Sequence, residues 1–315
     1  MQTDTAVPIP FLAALRPARW RHAGSNIWRN RIFYILIAPF AALTLVMGVW
    51  PIVLGIIVSF TDSYTALTPE PTYVWFQNYI DIFSDDLFLS SLWRTLLFTV
   101  LSVVLNVTTA LALALILSSR SLKLAAPICG LALFLPVVTP EAATFIVWKW
   151  MFSIDFGAVN AFLEDMGLPD FAGTTKPLQA FFTLVFVEWW HHVGFYTIIF
   201  LTNLKLLDPT LDEAARMDGA RTMQRVWNVW IPQLRPAIAI NSIYAVIQFL
   251  KTFAVVVIMT NGGPNYATNF LSFYAYSKFN LADYGQALAM ATVLFAIVIG
   301  LAVVVYRYNE KADYR

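Results

Sequence analysis

Ser91-Leu-Trp-Arg-Thr-Leu-Leu-Phe-Thr-Val-Leu-Ser-Val-Val-Leu-Asn-Val-Thr-Thr-Ala-Leu-Ala-Leu-Ala-Leu-Ile-Leu117 contains no proline or glycine and one charged residue, Arg94. A hydrocarbon core of about 30 Å is crossed by roughly 20 helical residues, so this stretch is long enough to span a membrane. It shows no period-two alternation and is far longer than a barrel strand, which leaves the helix as its spanning form. Working outward, five further runs read the same way: Ile32–Phe60, Ala125–Met151, Leu178–Leu204, Ile238–Met259 and Gly285–Tyr306. The expected fold is all-α and integral to a membrane, with six transmembrane helices. Composition agrees, since 59% of the 315 residues are hydrophobic and 12% charged, against about a quarter charged in soluble domains. The net charge of +1 argues against a nucleic-acid partner. The single cysteine, Cys129, excludes an intrachain disulfide.

Orientation follows from where the basic residues fall, because those near span ends stay on the cytoplasmic side. Arg16, Arg19, Arg21, Arg29 and Arg31 precede the first span, and Arg120 and Lys123 lie between the second and third. Lys205, Arg216, Arg221, Arg225 and Arg235 join the fourth to the fifth, and Arg307, Lys311 and Arg315 follow the sixth. The opposite loops, 61–90, 152–177 and 260–284, hold only Lys176 and Lys278 among many acids. Both termini are therefore expected in the cytoplasm. Residues 1–31 read as a cytoplasmic arm with Trp20 and Trp28 at headgroup level, 32–306 as the membrane domain and 307–315 as a cytoplasmic tail. The arm is not expected to be a cleaved signal, because its apolar stretch near Phe11–Leu15 is short and followed by arginines.

One connection, 205–237, has helical character: Leu207-Asp-Pro-Thr-Leu-Asp-Glu-Ala-Ala-Arg-Met-Asp-Gly-Ala-Arg221. Pro209 suits a first helical turn, Asp212 and Glu213 favour the positive end of the helix dipole, and Gly219 stops the helix. A second short helix is expected over Thr222–Trp230, ended by Pro232 and Pro236. Two such helices along the membrane make a surface for a cytoplasmic partner.

Glu213-Ala214-Ala215-Arg-Met-Asp218-Gly219-Ala, with Ile231-Pro232 after it, resembles the EAA motif of binding-protein-dependent ABC importer permeases. Leu135-Pro-Val-Val-Thr-Pro140, Trp148-Lys-Trp-Met-Phe152 and Thr260-Asn-Gly-Gly-Pro264 are similar to stretches of the maltose and glycerol-phosphate type of carbohydrate permease. The resemblance covers roughly residues 30–310. It implies a type I importer permease in a bacterial cytoplasmic membrane, paired with a second homologous permease, two ATP-binding subunits and an external solute-binding protein that delivers a sugar. Glu213, Ala214, Ala215, Asp218 and Gly219 would couple to the ATPase. ATP and Mg would belong to those partner subunits, leaving no cofactor and no enzymatic site in this chain. The absence of any Gly-Lys dipeptide agrees, because a phosphate-binding loop needs that lysine.

Charged groups inside spans are costly and so mark function by default. Glu141, Glu188 and Lys251 lie at comparable depth, either neutralising one another or touching solute. Glu188, His192 and Tyr196 share one face of the fourth span, and Asn241, Tyr244, Gln248 and Lys251 or Thr252 share one of the fifth. Both are expected to line a path. The stripe Thr99, Ser102, Asn106 and Thr109 on the second span is expected to hold helices together. Counting from the family motifs, the resemblance implies that the sugar would face Val137, Glu141, His192, Val193, Tyr196, Ala245, Phe249 and Thr252. Of these, Glu141, His192 and Thr252 would bond hydroxyls, as would Lys251 beside them, while Tyr196 and Phe249 would stack on a pyranose ring.

Other readings carry less. His191 and His192, adjacent on a helix, project about 100° apart, and the spacing supplies no third ligand, so no metal is expected. Trp148 and Trp150 read as interface anchors, Gly262-Gly263 as a rigid turn before Pro264, and Asp85-Asp86 as a solvated face or docking rim. The alternative function is an ion-coupled secondary transporter using Glu141, Glu188 and Lys251 as a proton relay. Lys251 and His192 leave open an anionic sugar derivative beside neutral sugars.

Overall fold

The computed structural model describes residues 31–62, 72–119, 122 and 124–313. The N-terminal arm with Trp20 and Trp28, the basic residues Arg120 and Lys123, and Arg315 lie outside them. The chain divides into two units, 1–55 and 56–315. The first is described from Arg31 onward and is helical. Its helix belongs to α1 (Arg31–Val58), which is almost wholly apolar after Arg31 and has no buried residue. The turn Thr44–Val49 is widened to π geometry just before Pro51. Proline cannot donate to the preceding turn and its ring crowds it, and a wider turn relieves both.

The second unit is also helical, and no β-strand occurs among its described residues; one bridge pairs Thr61 with Tyr73. Its elements are α2 (Gln77–Phe83), α3 (Asp86–Leu117), α4 (Ala126–Val138), α5 (Glu141–Met151), α6 (Ala158–Asp165) and α7 (Pro177–Lys205). They are followed by α8 (Pro209–Met217), α9 (222–233), α10 (Arg235–Leu250), α11 (Leu271–Asn280) and α12 (Tyr284–Asp313). The core sits between α3, α7 and α10, where Phe98 meets Phe270 at 4.6 Å, Phe181 at 6.0 Å and Phe249 at 6.3 Å between ring centres. Burial of such rings supplies most of the packing energy.

Of the stripe on α3, Thr109 alone bonds another helix. Thr99 and Asn106 donate to carbonyls of α3 itself, and Ser102 Oγ is buried without a partner among the described residues. Ser91 and Thr95, outside the stripe, make the other links. Trp189 Nε1 donates to Thr109 Oγ1 at 2.8 Å, Asn269 Nδ2 to Ser91 Oγ at 2.9 Å, and the Leu271 amide to Thr95 Oγ1 at 2.8 Å. Asn160 fastens the loop between α5 and α7 by exchanging bonds with Phe171 of 2.8 and 3.0 Å. Asp85, read from sequence as part of a solvated rim, instead caps α3 through the Leu87 amide and accepts the Tyr274 hydroxyl. Trp148 is packed against Phe152, Phe186 and Trp190, whereas Trp150 is exposed.

Four helices, α1, α3, α7 and residues Tyr284–Val304 of α12, are each long and apolar enough to cross a membrane. The third and fifth expected spans are broken rather than continuous. Between α4 and α5 the axis bends by 97°. Thr139 is extended, with ψ 143°, because Pro140 after it disfavours the helical region. The fifth breaks after Leu250, and helix resumes at 254. At the other end, Pro232 and Pro236 do not end the helical run as expected. Each enters a first turn, where the missing amide costs nothing, and a π turn at Val226–Trp230 precedes Pro232. The last helix also continues beyond the expected tail boundary, to Asp313.

Candidate functional site: a recess between two broken helices

Each break leaves a charge where the local dipole favours it. Glu141 opens α5, so its carboxylate lies at the positive end of that helix, and Lys251 closes α10 at the negative end. Both line one recess of about 240 Å³, with Glu188, Gln248, Thr252, Phe253 and Ala254. Lys251 and Glu141 are exposed to it, and neither makes a hydrogen bond or an ion pair among the described residues. Thr252, although buried, shares the lining, and its carbonyl accepts the Ser272 hydroxyl, which replaces a helical bond lost at the break.

The wall behind is formed by α7. His192 Nδ1 lies 3.0 Å from Glu188 Oε2 and 3.0 Å from the Glu188 carbonyl oxygen. Two acceptors at one nitrogen fix the proton there and leave Nε2 as the lone-pair side of the ring. His191, 3% exposed, has a buried Nδ1 without a hydrogen-bond partner. Donor atoms of Glu141, His191 and His192 all lie within 4.8 Å of one another. The third donor that α7 alone does not provide thus arrives from α5, correcting the expectation that no such group converges.

Glu141, Lys251 and Thr252 are therefore brought together, with His192 beside Glu141. Tyr196 and Phe249 are fully buried and do not line the recess. Phe249 packs edge-on to His192 at 5.6 Å, and Tyr196 meets Phe195 and Tyr244. In this conformation neither ring is open for stacking.

The connection 205–237 is built around a residue whose role its sequence did not disclose. Asp208 caps α8 through the Thr210 amide, and Gly219 ends it with φ +79°. Asp212, in the first turn, accepts from Arg216 Nη2 at 2.7 Å, Arg225 Nη1 at 2.8 Å and Trp230 Nε1 at 2.9 Å. Burial alone raises this carboxyl, but the Trp230 hydrogen bond and the two guanidinium groups outweigh it and hold Asp212 below the ordinary carboxylate range. Glu213, Ala214, Asp218 and Gly219 are exposed and Ala215 half-buried, beside the uncovered side chains of Met217, Met223 and Trp227. The segment is thus a rigid elbow with an open outer face.

No family model matches the chain. Among curated proteins, it is 29% identical to the trehalose/maltose transport system permease protein MalF of Thermococcus litoralis, over 87% of this chain and 92% of that one. It is also 29% identical to the sulfoquinovosyl glycerol transport system permease protein SmoG of Agrobacterium fabrum, over 99% of this chain and all of the other. Among solved structures, a chain of a bacterial alginate ABC transporter, in complex with an alginate pentasaccharide-bound periplasmic protein, superposes with a TM-score of 0.80. That match covers 90% of this chain and 96% of the other at 19% identity, which bears on fold. The ion-coupled alternative finds no support in these likenesses. Near-complete coverage of these permease proteins and the shared fold make this chain similar, along nearly its whole length, to ABC transporter permeases of the carbohydrate-uptake type.

Proposed function

We propose that the chain crosses a bacterial cytoplasmic membrane six times, with both termini inside, and forms the translocation path with a second permease. Two ATP-binding subunits dock on the elbow at Glu213, Ala214, Ala215, Asp218 and Gly219, and an external solute-binding protein delivers a sugar from the other side. ATP and Mg belong to those partners, and the chain itself carries out no chemistry. Residues 32–306 are the permease domain, 1–31 an arm and 307–315 a tail. The relatives' names and the fold neighbour's periplasmic partner support this assembly.

One observation carries the solute site: two helices break at a single recess and leave an acid and an amine facing it unpaired. Discontinuous helices with charge at their ends are how transporters hold polar solutes at mid-membrane. A sugar hydroxyl donates to Glu141 and accepts from Lys251 at once, Thr252 adds a further polar contact, and His192, behind the lining, supports the solute site through Glu141 beside it. Two carboxylates against one lysine favour a neutral sugar over an anionic derivative. Tyr196 and Phe249 back this wall, and reach the sugar only if α7 and α10 rearrange during the transport cycle.

The test is uptake by vesicles holding the permease with its partner subunits. ATP-dependent accumulation of a sugar that survives an uncoupler, and that is lost together with ATPase association in Glu213→Lys, is the expected result. Uptake abolished by the uncoupler, or normal ATPase association and transport in Glu213→Lys, would overturn it.

A further inference from the structure

We infer that Glu141, His191 and His192 form a binding site for a transition-metal dication of the zinc type, and that its occupation ties α7 to the start of α5 and stops solute movement. The three donors come from two elements separated by the 97° bend, and all lie within 4.8 Å of one another. Zinc bonds of about 2.1 Å put tetrahedral ligand atoms roughly 3.4 Å apart. Glu141, exposed and without a hydrogen bond, is free to close that difference.

Three further features point to a ligand here. His191 Nδ1 is buried and unpartnered, a state that native structures rarely leave unexplained. His192 gives its Nδ1 proton to Glu188, the arrangement that fixes a metal-binding imidazole and raises its basicity, so Nε2 is the atom left to coordinate. The recess gives Glu141 access to solution, although neither histidine lines it. Two imidazoles and one carboxylate select zinc, cobalt, nickel or copper over magnesium and calcium. Lys251 lines the same recess and opposes a dication, but Glu141 and Glu188 together outweigh it.

The ion would bridge the fourth helix to the second half of the broken third. It would also occupy Glu141 and His192, two groups assigned above to the solute. Zinc and sugar therefore exclude each other. His191 separates the two roles, because it belongs to the metal site and not to the solute set.

The experiment is zinc binding by the purified full-length chain, measured by dialysis and by the visible absorption of cobalt(II) in place of zinc, alongside uptake in vesicles containing the partner subunits. One zinc per chain is expected, with affinity reduced at least about tenfold in His191→Phe, in Glu141→Gln and in Glu188→Gln. Magnesium should not compete. Micromolar zinc should stop uptake by the wild type and leave His191→Phe transporting. His191→Phe keeps the ring contacts with Phe145 and His192, and Glu141→Gln changes only an exposed group, so misfolding of one leaves the other to decide. Less than one equivalent of zinc on the wild type, or equal affinity in the variants, would overturn the site. Loss of sugar uptake without zinc would count against the solute reading and leave the zinc titration standing.

Discussion

Asp212 and Glu141 are both acids in the first turn of a helix, where the backbone dipole welcomes a carboxylate, yet their surroundings are opposite. Asp212 is enclosed by Arg216, Arg225 and Trp230, each within 3 Å, and so binds α8 to α9. Glu141 opens onto a recess that Lys251 also lines, and makes no hydrogen bond among the described residues. A carboxylate with its acceptor capacity filled contributes rigidity, whereas one left open is available to a ligand. The elbow is thus held closed by its own side chains, whereas the recess keeps an acid and an amine open. The chain joins them directly, because α9 runs into α10 and α10 ends at Lys251.

The strongest way to break this contrast is to empty the elbow. Asp212→Ala leaves the largely buried Arg225 guanidinium and the Trp230 N–H without their acceptor, and should cost about 3 kcal/mol of stability. Uptake should fall below detection, and Asp212→Asn should keep part of both. Thermal unfolding of the detergent-solubilised protein and vesicle uptake would measure this; an unchanged melting temperature would show that the elbow is not held by Asp212.

The matching change in the recess should do the reverse. Lys251→Met removes an exposed charge that has no hydrogen-bond or ion-pair partner among the described residues, so stability should move by less than about 0.5 kcal/mol. The KM for uptake should rise about tenfold, or roughly 1.4 kcal/mol of solute binding. A large stability loss with unaltered KM would place Lys251 on the structural side of the comparison.

Gly219→Ala tests the end of the elbow. A side chain there meets nothing within 4 Å, but φ is +79°, so the expected cost of about 1 kcal/mol comes from backbone conformation alone. Melting should reveal it while ATPase association persists. Gly219→Pro also removes the amide that donates to the Arg216 carbonyl, and should abolish association.

The smallest effect expected is on pH dependence. Because the folded chain holds the Asp212 carboxyl low, its contribution is complete above the ordinary value of 3.8 and is lost as the pH falls through the depressed folded-state value. The stability gap between wild type and Asp212→Asn should therefore be constant near neutrality and shrink in acid below that value. A gap that instead widened in acid would contradict the pairing.

Much of the architecture was legible because it rests on local patterns. Apolar length marked the helices α3 and α7 nearly to their ends, and Pro209, Asp212 and Gly219 bracketed α8 by dipole and backbone rules. Thr139-Pro140 was equally legible as a break, since the residue before a proline avoids helix; hydropathy ran straight through it because both halves are apolar. The break at Lys251 had no such signal. No proline or glycine stands there, and the bonds that stabilise it come from Ser272, distant in sequence.

The sequence by itself determined that this chain carries apolar runs long enough to cross a membrane, that residues 213–220 resemble the EAA motif, and that Glu141, Glu188, His192 and Lys251 sit in apolar runs where charge is costly. Only the tertiary structure decided which of them meet. Glu141 and Lys251 face one recess because two helices stop there, Tyr196 and Phe249 are closed within the core, and His191 gains Glu141 as a neighbour from another helix. Periodicity along one helix fixes the face a side chain occupies, but the partner across from it depends on how helices break and cross, and that is settled by packing between segments far apart in the chain.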